Sequence, residues 1–187
     1  MTGILSTLAP SRRSGDVVGI PSVCSAHPVV IEAALRRGRR DQTPVLIEAT
    51  CNQVNQEGGY TGMTPVDFAN QVKAIAAKVD FDSAYLILGG DHIGPNPWRK
   101  LPAERALAKA EAMVAAYVAA GFSKVHLDAS MGCDGEPEAL DDERTAARAV
   151  RLARVAEATA REGGLPPPVY IIGTEIPPPG EIGRAHV

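Results

Sequence analysis

Aromatic side chains are scarce in this chain, at 4% of 187 residues. Surfaces that bind single-stranded nucleic acid by base stacking need aromatic platforms, so that class of partner loses support. The formal net charge of −3 removes the basic patch that nucleic acid or an anionic membrane surface would select. Cysteine is equally thin. Cys24, Cys51 and Cys133 are odd in number and widely spaced, which suits neither a disulfide framework nor a zinc knuckle. A reducing cytoplasm is the setting such thiols fit. No apolar run approaches the length of a membrane-spanning helix. Residues 1–15 are polar and carry Arg12 and Arg13, with no apolar segment of signal-peptide type behind them. No G-x-x-x-x-G-K-[ST] phosphate loop occurs, and no G-x-G-x-x-G follows the first strand pattern.

What is present is a soluble, globular composition, 45% hydrophobic and 22% charged, arranged as an alternation. Short runs rich in Val, Ile and Leu read as strands: Val17–Cys24, Val45–Thr50, Ala84–Gly90, Lys124–Ser130 and Pro168–Glu175. Between them lie helical patterns. The first, Pro28–Arg37, has Pro near its start and Gly38 placed to end it. The second opens at Thr64, with Pro65 at the first helical position and Asp67 at the third, and carries the stripe Phe68, Val72, Ile75, Ala76 and Val79. The third spans about residues 103–120. The fourth begins near Asp141-Asp142-Glu143 and ends before Gly163-Gly164.

Strand–helix alternation predicts a parallel sheet, either an open doubly wound sheet or a closed (β/α)8 TIM barrel. Polar groups recur at the C-terminal strand ends: Ser25 and His27, Glu48 and Asn52, Asp91 and His92, Asp128 and Ser130, and Glu175. A barrel gathers all strand ends on one face, whereas an open sheet gathers only those at its switch point. The expected fold is therefore an α/β (β/α)8 barrel, cut short after about strand five. Residues 1–180 are expected to be the N-terminal part of this single domain. Residues 181–187 read as a translated sequencing adapter, which removes His186 from any site.

Asp91 and His92 stand out. Two glycines precede them, and a carboxylate beside an imidazole at a barrel strand end suits proton transfer and metal ligation. His126, Asp128 and Ser130 share one strand face by period two. For Asp128 and Ser130 a ligand contact and an internal hydrogen-bond network are both open; His126, set deeper, reads as structural. Glu48 faces inward, and it and Glu175 either bind metal or substrate or form a buried ion pair with a lysine such as Lys124. The amide- and glycine-rich segment 51–63 is long for a βα connection. It is either a solvated loop or a ligand-contacting one, with Asn52, Gly58 and Gly59 as its candidate contacts to hydroxyls or a phosphate.

Several collinear blocks over about residues 15–180 resemble one known family. They are SVCSAHP (22–28), IEAT (47–50), NQVNQ (52–56), GGYTGMTP (58–65), LGGDH (88–92), GPN (94–96), HLDASM (126–131) and IGTE (172–175). They look like the accessory, Z-type subunit of class II D-tagatose-1,6-bisphosphate aldolase. Three positions depart from it: Cys51 and Gly132 stand where Ser is expected, and Glu57 where an apolar residue is expected.

The resemblance implies a barrel related to zinc-dependent class II aldolases, working in galactitol or N-acetylgalactosamine catabolism. It implies a companion that supports the activity and stability of a separate catalytic subunit, which splits tagatose bisphosphate into two triose phosphates. By the same analogy Asp91 is the proton-transfer acid/base, His92 a zinc ligand, and Glu175 a neighbour of the metal. Glu48, Asn52, Gly58, Gly59, Asn96, Asp128 and Ser130 are the candidate contacts to a sugar phosphate. The family's further histidine ligands come from later strands. Zn2+ is thus expected only in the full-length protein or its complex, and none on these residues alone. Two alternatives stand beside the accessory reading: a zinc aldolase in its own right when full length, and an inactive truncated fragment.

Overall fold

The computed structural model describes residues 3–16 and 19–173. Five parallel strands run in the order β1-β2-β3-β4-β5. They are β1 (Ser22–Cys24), β2 (Val45–Thr50), β3 (Leu86–Ile93), β4 (Lys124–Leu127) and β5 (Val169–Ile172). Helices α2 (Pro28–Asp41), α3 (Pro65–Lys78), α4 (Ala103–Ala119) and α5 (Asp142–Glu162) connect them in turn, and α1 (Gly3–Ser14) precedes the sheet. Nothing in the sequence pattern had marked α1, whose apolar content is low and whose sequence includes Pro10.

The sheet has two unlike faces. Val45, Ile47 and Ala49 of β2, Leu86 and Leu88 of β3, and Val125 and Leu127 of β4 join one core with Ile31, Phe68, Val72, Met113, Tyr117 and Leu152 of the helices. The intervening residues take the opposite face. Register aligns Glu48 with Gly89 and Gly89 with Lys124, so one layer of that face runs across three strands. The connecting helices pack in sequence, α2 on α3, α3 on α4 and α4 on α5, as right-handed crossovers between consecutive parallel strands would place them.

Helix starts are set locally. Thr64 accepts from the Asp67 N–H while the Asp67 side chain accepts from Thr64 N, a closed capping box with Pro65 at the first position. Asp141 caps α5 by accepting from Arg144 N. Other boundaries differ from expectation. Gly38 does not end α2: the helix continues to Asp41 and closes on Gln42, in the left-handed region at φ 54°. Gly38 instead answers a packing need, because a Cβ there would lie 2.2 Å from Val45 Cγ2. Strand β1 covers only Ser22–Cys24, with Val17 and Val18 outside the described residues. Strand β3 starts two residues later than expected, after the 3-10 turn Ser83–Tyr85, and runs on through Asp91 and His92. Strand β4 ends at Leu127. Strand β5 stops at Ile172, and Thr174 and Glu175 lie outside the described residues.

Candidate functional site

Asp91 and His92 belong to β3 itself, and a bulge brings both to one face. Gly90 pairs with Val125 and Ile93 with Leu127, so β3 spends three steps where β4 spends two. The extra residue is accommodated at His92, which takes φ 49°. A non-glycine residue in that region is strained, and such strain concentrates at functional positions. Regular alternation would point Asp91 and His92 to opposite faces. With the bulge, both reach the polar face, and Ile93 returns to the helix-side core, fully buried.

There they meet β4. His126 Nδ1 lies 3.1 Å from Asp91 Oδ1, and His92 Nδ1 lies 3.1 Å from Asp128 Oδ2. Asp128 is held in turn by the Ser130 hydroxyl, which donates to its Oδ1 at 3.0 Å. The two imidazole rings sit 4.5 Å apart. His92 Nε2 lies 3.9 Å from Asp91 Oδ2. Donor atoms of Asp91, His92 and His126 all fall within 4.8 Å of one another, the spacing a metal ion needs. Below them Lys124 Nζ, buried, donates to Glu48 Oε1 and stands 3.8 Å from Asp91 Oδ1.

The electrostatics follow from this packing. Burial pushes the Asp91 carboxyl upward, but the His126 hydrogen bond and the charges of His92 and Lys124 outweigh it and hold the group at about 2. Asp128 also falls below its ordinary value: burial works against this, and the His92 and Ser130 hydrogen bonds prevail. Burial pushes Glu48 upward, opposed by the hydrogen bond and charge of Lys124. Desolvation and the neighbouring Asp91 carboxylate push the Cys24 thiol, at the end of β1, up to about 12.

The structure thus gathers Asp91, His92, Asp128, Ser130 and Glu48 from the expected residues. Of the readings open for Glu48, the buried ion pair with Lys124 is the one formed, and Asp128 with Ser130 forms the internal network. His126, read from sequence as structural, is part of the cluster. The signal for it was its period-two relation to Asp128, which reports a shared face but not the reach of the neighbouring strand. Glu175 lies outside the described residues.

The 51–63 loop is folded on itself. Asn55 Oδ1 accepts from the N–H groups of Glu57 and Gly59, and Asn55 O accepts from Gly58 N. Both candidate glycine donors are therefore consumed within the loop. Asn52 is exposed beside Tyr60, Pro97 and Trp98 on a shallow groove. Asn96 starts the 3-10 turn Asn96–Trp98, next to that groove. Glu57, an unexpected acid there, accepts from Trp98 Nε1 at 2.9 Å and from Lys109 Nζ, and ties the loop to α4. An apolar cavity of about 340 Å³ near the other end of the sheet, between α3 and α4, is lined by residues such as Leu86, Leu88, Val118 and Phe122 and, among the described residues, by no imidazole or carboxylate.

These features define a class: an α/β protein of consecutive βα units with an acid–imidazole cluster at the C-terminal strand ends. The chain belongs to the D-tagatose-1,6-bisphosphate aldolase subunit GatZ/KbaZ-like family, whose model matches residues 5–186. It is 63% identical, over its whole length, to a D-tagatose 6-phosphate 4-epimerase of Agrobacterium fabrum, of which it spans 44%. It also matches the crystal structure of a probable tagatose 6 phosphate kinase from Sinorhizobium meliloti 1021, with 64% identity and a TM-score of 0.80. That match covers 85% of this chain and 40% of the solved one. The chain therefore spans less than half the length of these relatives. No helix among the described residues is long and apolar enough to cross a membrane.

Proposed function

We propose that this chain is the first part of a (β/α)8 barrel enzyme that acts on tagatose-type ketose phosphates by reversible cleavage of the bond between C3 and C4. The observation that carries the reading is the bulge at His92, which places Asp91, His92 and His126 together at the strand ends. Consecutive strand order and one helix-covered face support the barrel. A family described as an aldolase subunit and a relative named a 4-epimerase share one chemical step. In a 2-ketose, removal of the C4 hydroxyl proton lets the C3–C4 bond break, its electrons passing into an enediolate conjugated through C2. The other product is an aldehyde at C4. If that aldehyde presents its other face before the bond re-forms, C4 is inverted. If it leaves, the outcome is aldol cleavage.

Asp91 is the residue we assign to the proton. It is ionised near neutrality, it is half-buried, and its orientation is set by His126. His92 and His126, with Asp91 beside them, would hold the divalent cation that zinc-dependent relatives of this fold imply. The surroundings fit one: among the described residues Glu48 and Asp91 share the Lys124 ammonium and Asp128 pairs with the His92 ring, so three carboxylates gather about one ammonium and a dication would balance the excess. Asp128 binds the Nδ1 side of His92, the orienting contact typical of ligand histidines. Such an ion would polarise the substrate carbonyl. Asn52 and Asn96, by the neighbouring groove, are further sugar-phosphate candidates.

The test is the full-length protein, purified alone, supplied with a divalent cation and tagatose 6-phosphate. Formation of the C4 epimer, fructose 6-phosphate, is expected, at ordinary enzyme rates of about 1–10³ per second. No turnover by the protein alone sinks the reading. A second reading, a companion that supports a separate catalytic aldolase subunit, is favoured by the family's description as a subunit. It predicts silence alone and increased activity when a class II aldolase is co-expressed. The kinase name of the solved relative finds no phosphate-loop motif among these 187 residues.

A further inference from the structure

A second polar layer lies beneath the cluster. Glu48, Gly89 and Lys124 are aligned on β2, β3 and β4, on the face away from the helices. Lys124 Nζ donates to Glu48 Oε1, and the Ser22 hydroxyl donates to Glu48 Oε2, so polar contacts run from β1 to β4. The Lys124 and Glu48 side chains are only 5% and 4% exposed. Removing two full charges from water cancels most of what their attraction returns, and apolar side chains of similar volume commonly serve stability as well or better. Stability alone is a weak reason for this pair.

Its geometry offers another reason. Lys124 Nζ stands 3.8 Å from Asp91 Oδ1, the oxygen that His126 Nδ1 meets at 3.1 Å. The ammonium therefore supports the Asp91 carboxylate from the side opposite the strand ends, and Glu48 sets where the ammonium stands. Gly89 makes the crossing open: a Cβ there would fall 2.5 Å from Glu48 Oε1. Glycine in the interior of a buried strand is unfavourable for packing and chain entropy. A buried ion pair and a mid-strand glycine, each unfavourable by itself, serve one arrangement.

We propose that Lys124, held by Glu48 across Gly89, is a positioning residue for Asp91, keeping one carboxylate oxygen on His126 and the other towards His92. The inference rests on the reading of Asp91 as the proton-transfer group. It is tested in the full-length protein with Lys124→Met, Lys124→Arg and Gly89→Ala, the last of which displaces Glu48 without removing a charge. Misplacing a reacting group by about 1 Å costs on the order of 100-fold. Lys124→Met and Gly89→Ala should each lower kcat by roughly 10–100-fold with KM nearly unchanged, and Lys124→Arg should restore most of the loss. Thermal melts establish which variants fold; if Lys124→Met does not, Gly89→Ala and Lys124→Arg decide. A folded Lys124→Met or Gly89→Ala with unchanged kcat, or with a change in KM alone, overturns the proposal. If the wild-type protein shows no turnover, the functional reading fails separately. Crystal structures of wild type and Lys124→Met then decide positioning: loss of the Asp91–His126 contact supports it, and retention overturns it.

Discussion

His92 shows how much one residue's backbone can decide. In a regular strand its ring would enter the helix-side core, where an imidazole lacks partners. At φ 49° it joins the polar face and meets Asp128 at 3.1 Å. On the proposed reading Asp128 acts through His92, so Asp128→Asn in the full-length protein should weaken divalent-cation affinity by about 10–100-fold. Isothermal titration with Zn2+ checks this; an unchanged affinity removes Asp128 from the site. Asp91→Asn keeps the shape of the side chain and removes its basicity. The expected loss is about 10²–10⁴-fold in kcat, read from the initial rate of ketose phosphate conversion. The contact of Asp128 with His92 was not visible in the sequence. The Asp-His pair was legible because two adjacent glycines and a strand end framed it, whereas His126 had only its alternation with Asp128.

At the scale of elements, local chemistry placed most helices. The capping box at Thr64 and Asp67, and the acids at the start of α5, mark helix starts within a residue. Gly38 misled because glycine is common just past a helix end. Here it sits inside α2 so that Val45 can approach, a contact with another element that no local rule contains. Helix α5 is tied to the β4–α5 connection by Arg148, whose Nη2 donates to Glu136 Oε1 and Oε2 at 2.6 and 2.8 Å. Cys133 N donates to Glu136 as well. The Arg148 hydrogen bond, opposed by burial and aided by the Cys133 N–H, holds the Glu136 carboxyl below its ordinary 4.5. A lowered value in the folded state means the unfolded chain binds the proton more readily. The contribution is therefore complete above about pH 4.5 and is lost as pH falls through the lowered value. Glu136→Gln in the full-length protein should cost about 1.5–3 kcal/mol near pH 7, and the difference from wild type should shrink below pH 4.5. Urea unfolding at several pH values measures it; a gap independent of pH contradicts the ion-pair account.

For the whole molecule, the two faces of the sheet set the expectation. Among the described residues, β1 and β5 each pair on one side only, and Ile171 and Ile172 of β5 are 50% and 71% exposed. Unpaired edges beside apolar side chains promote association. Three or four wet side chains of Val, Leu or Ile size forfeit about 1.5–3 kcal/mol each, comparable with the roughly 5–15 kcal/mol of a whole domain. The 187-residue chain expressed by itself is thus expected to be poorly soluble or molten, and the full-length protein to unfold cooperatively. Differential scanning calorimetry and amide NMR dispersion distinguish the two. A sharp transition from a monomeric 187-residue chain would count against closure into a barrel.

The sequence by itself determined the class of fold, because strand and helix periods and end-capping residues are local properties that neighbours along the chain impose. It also determined the polar strand ends and the Asp91-His92 pair. Only the tertiary structure decided that β3 bulges at His92, that His126 faces Asp91, and that Glu48 reaches Lys124 across Gly89. These depend on the register between strands distant in sequence. A one-residue change in register reverses which side chains share a face.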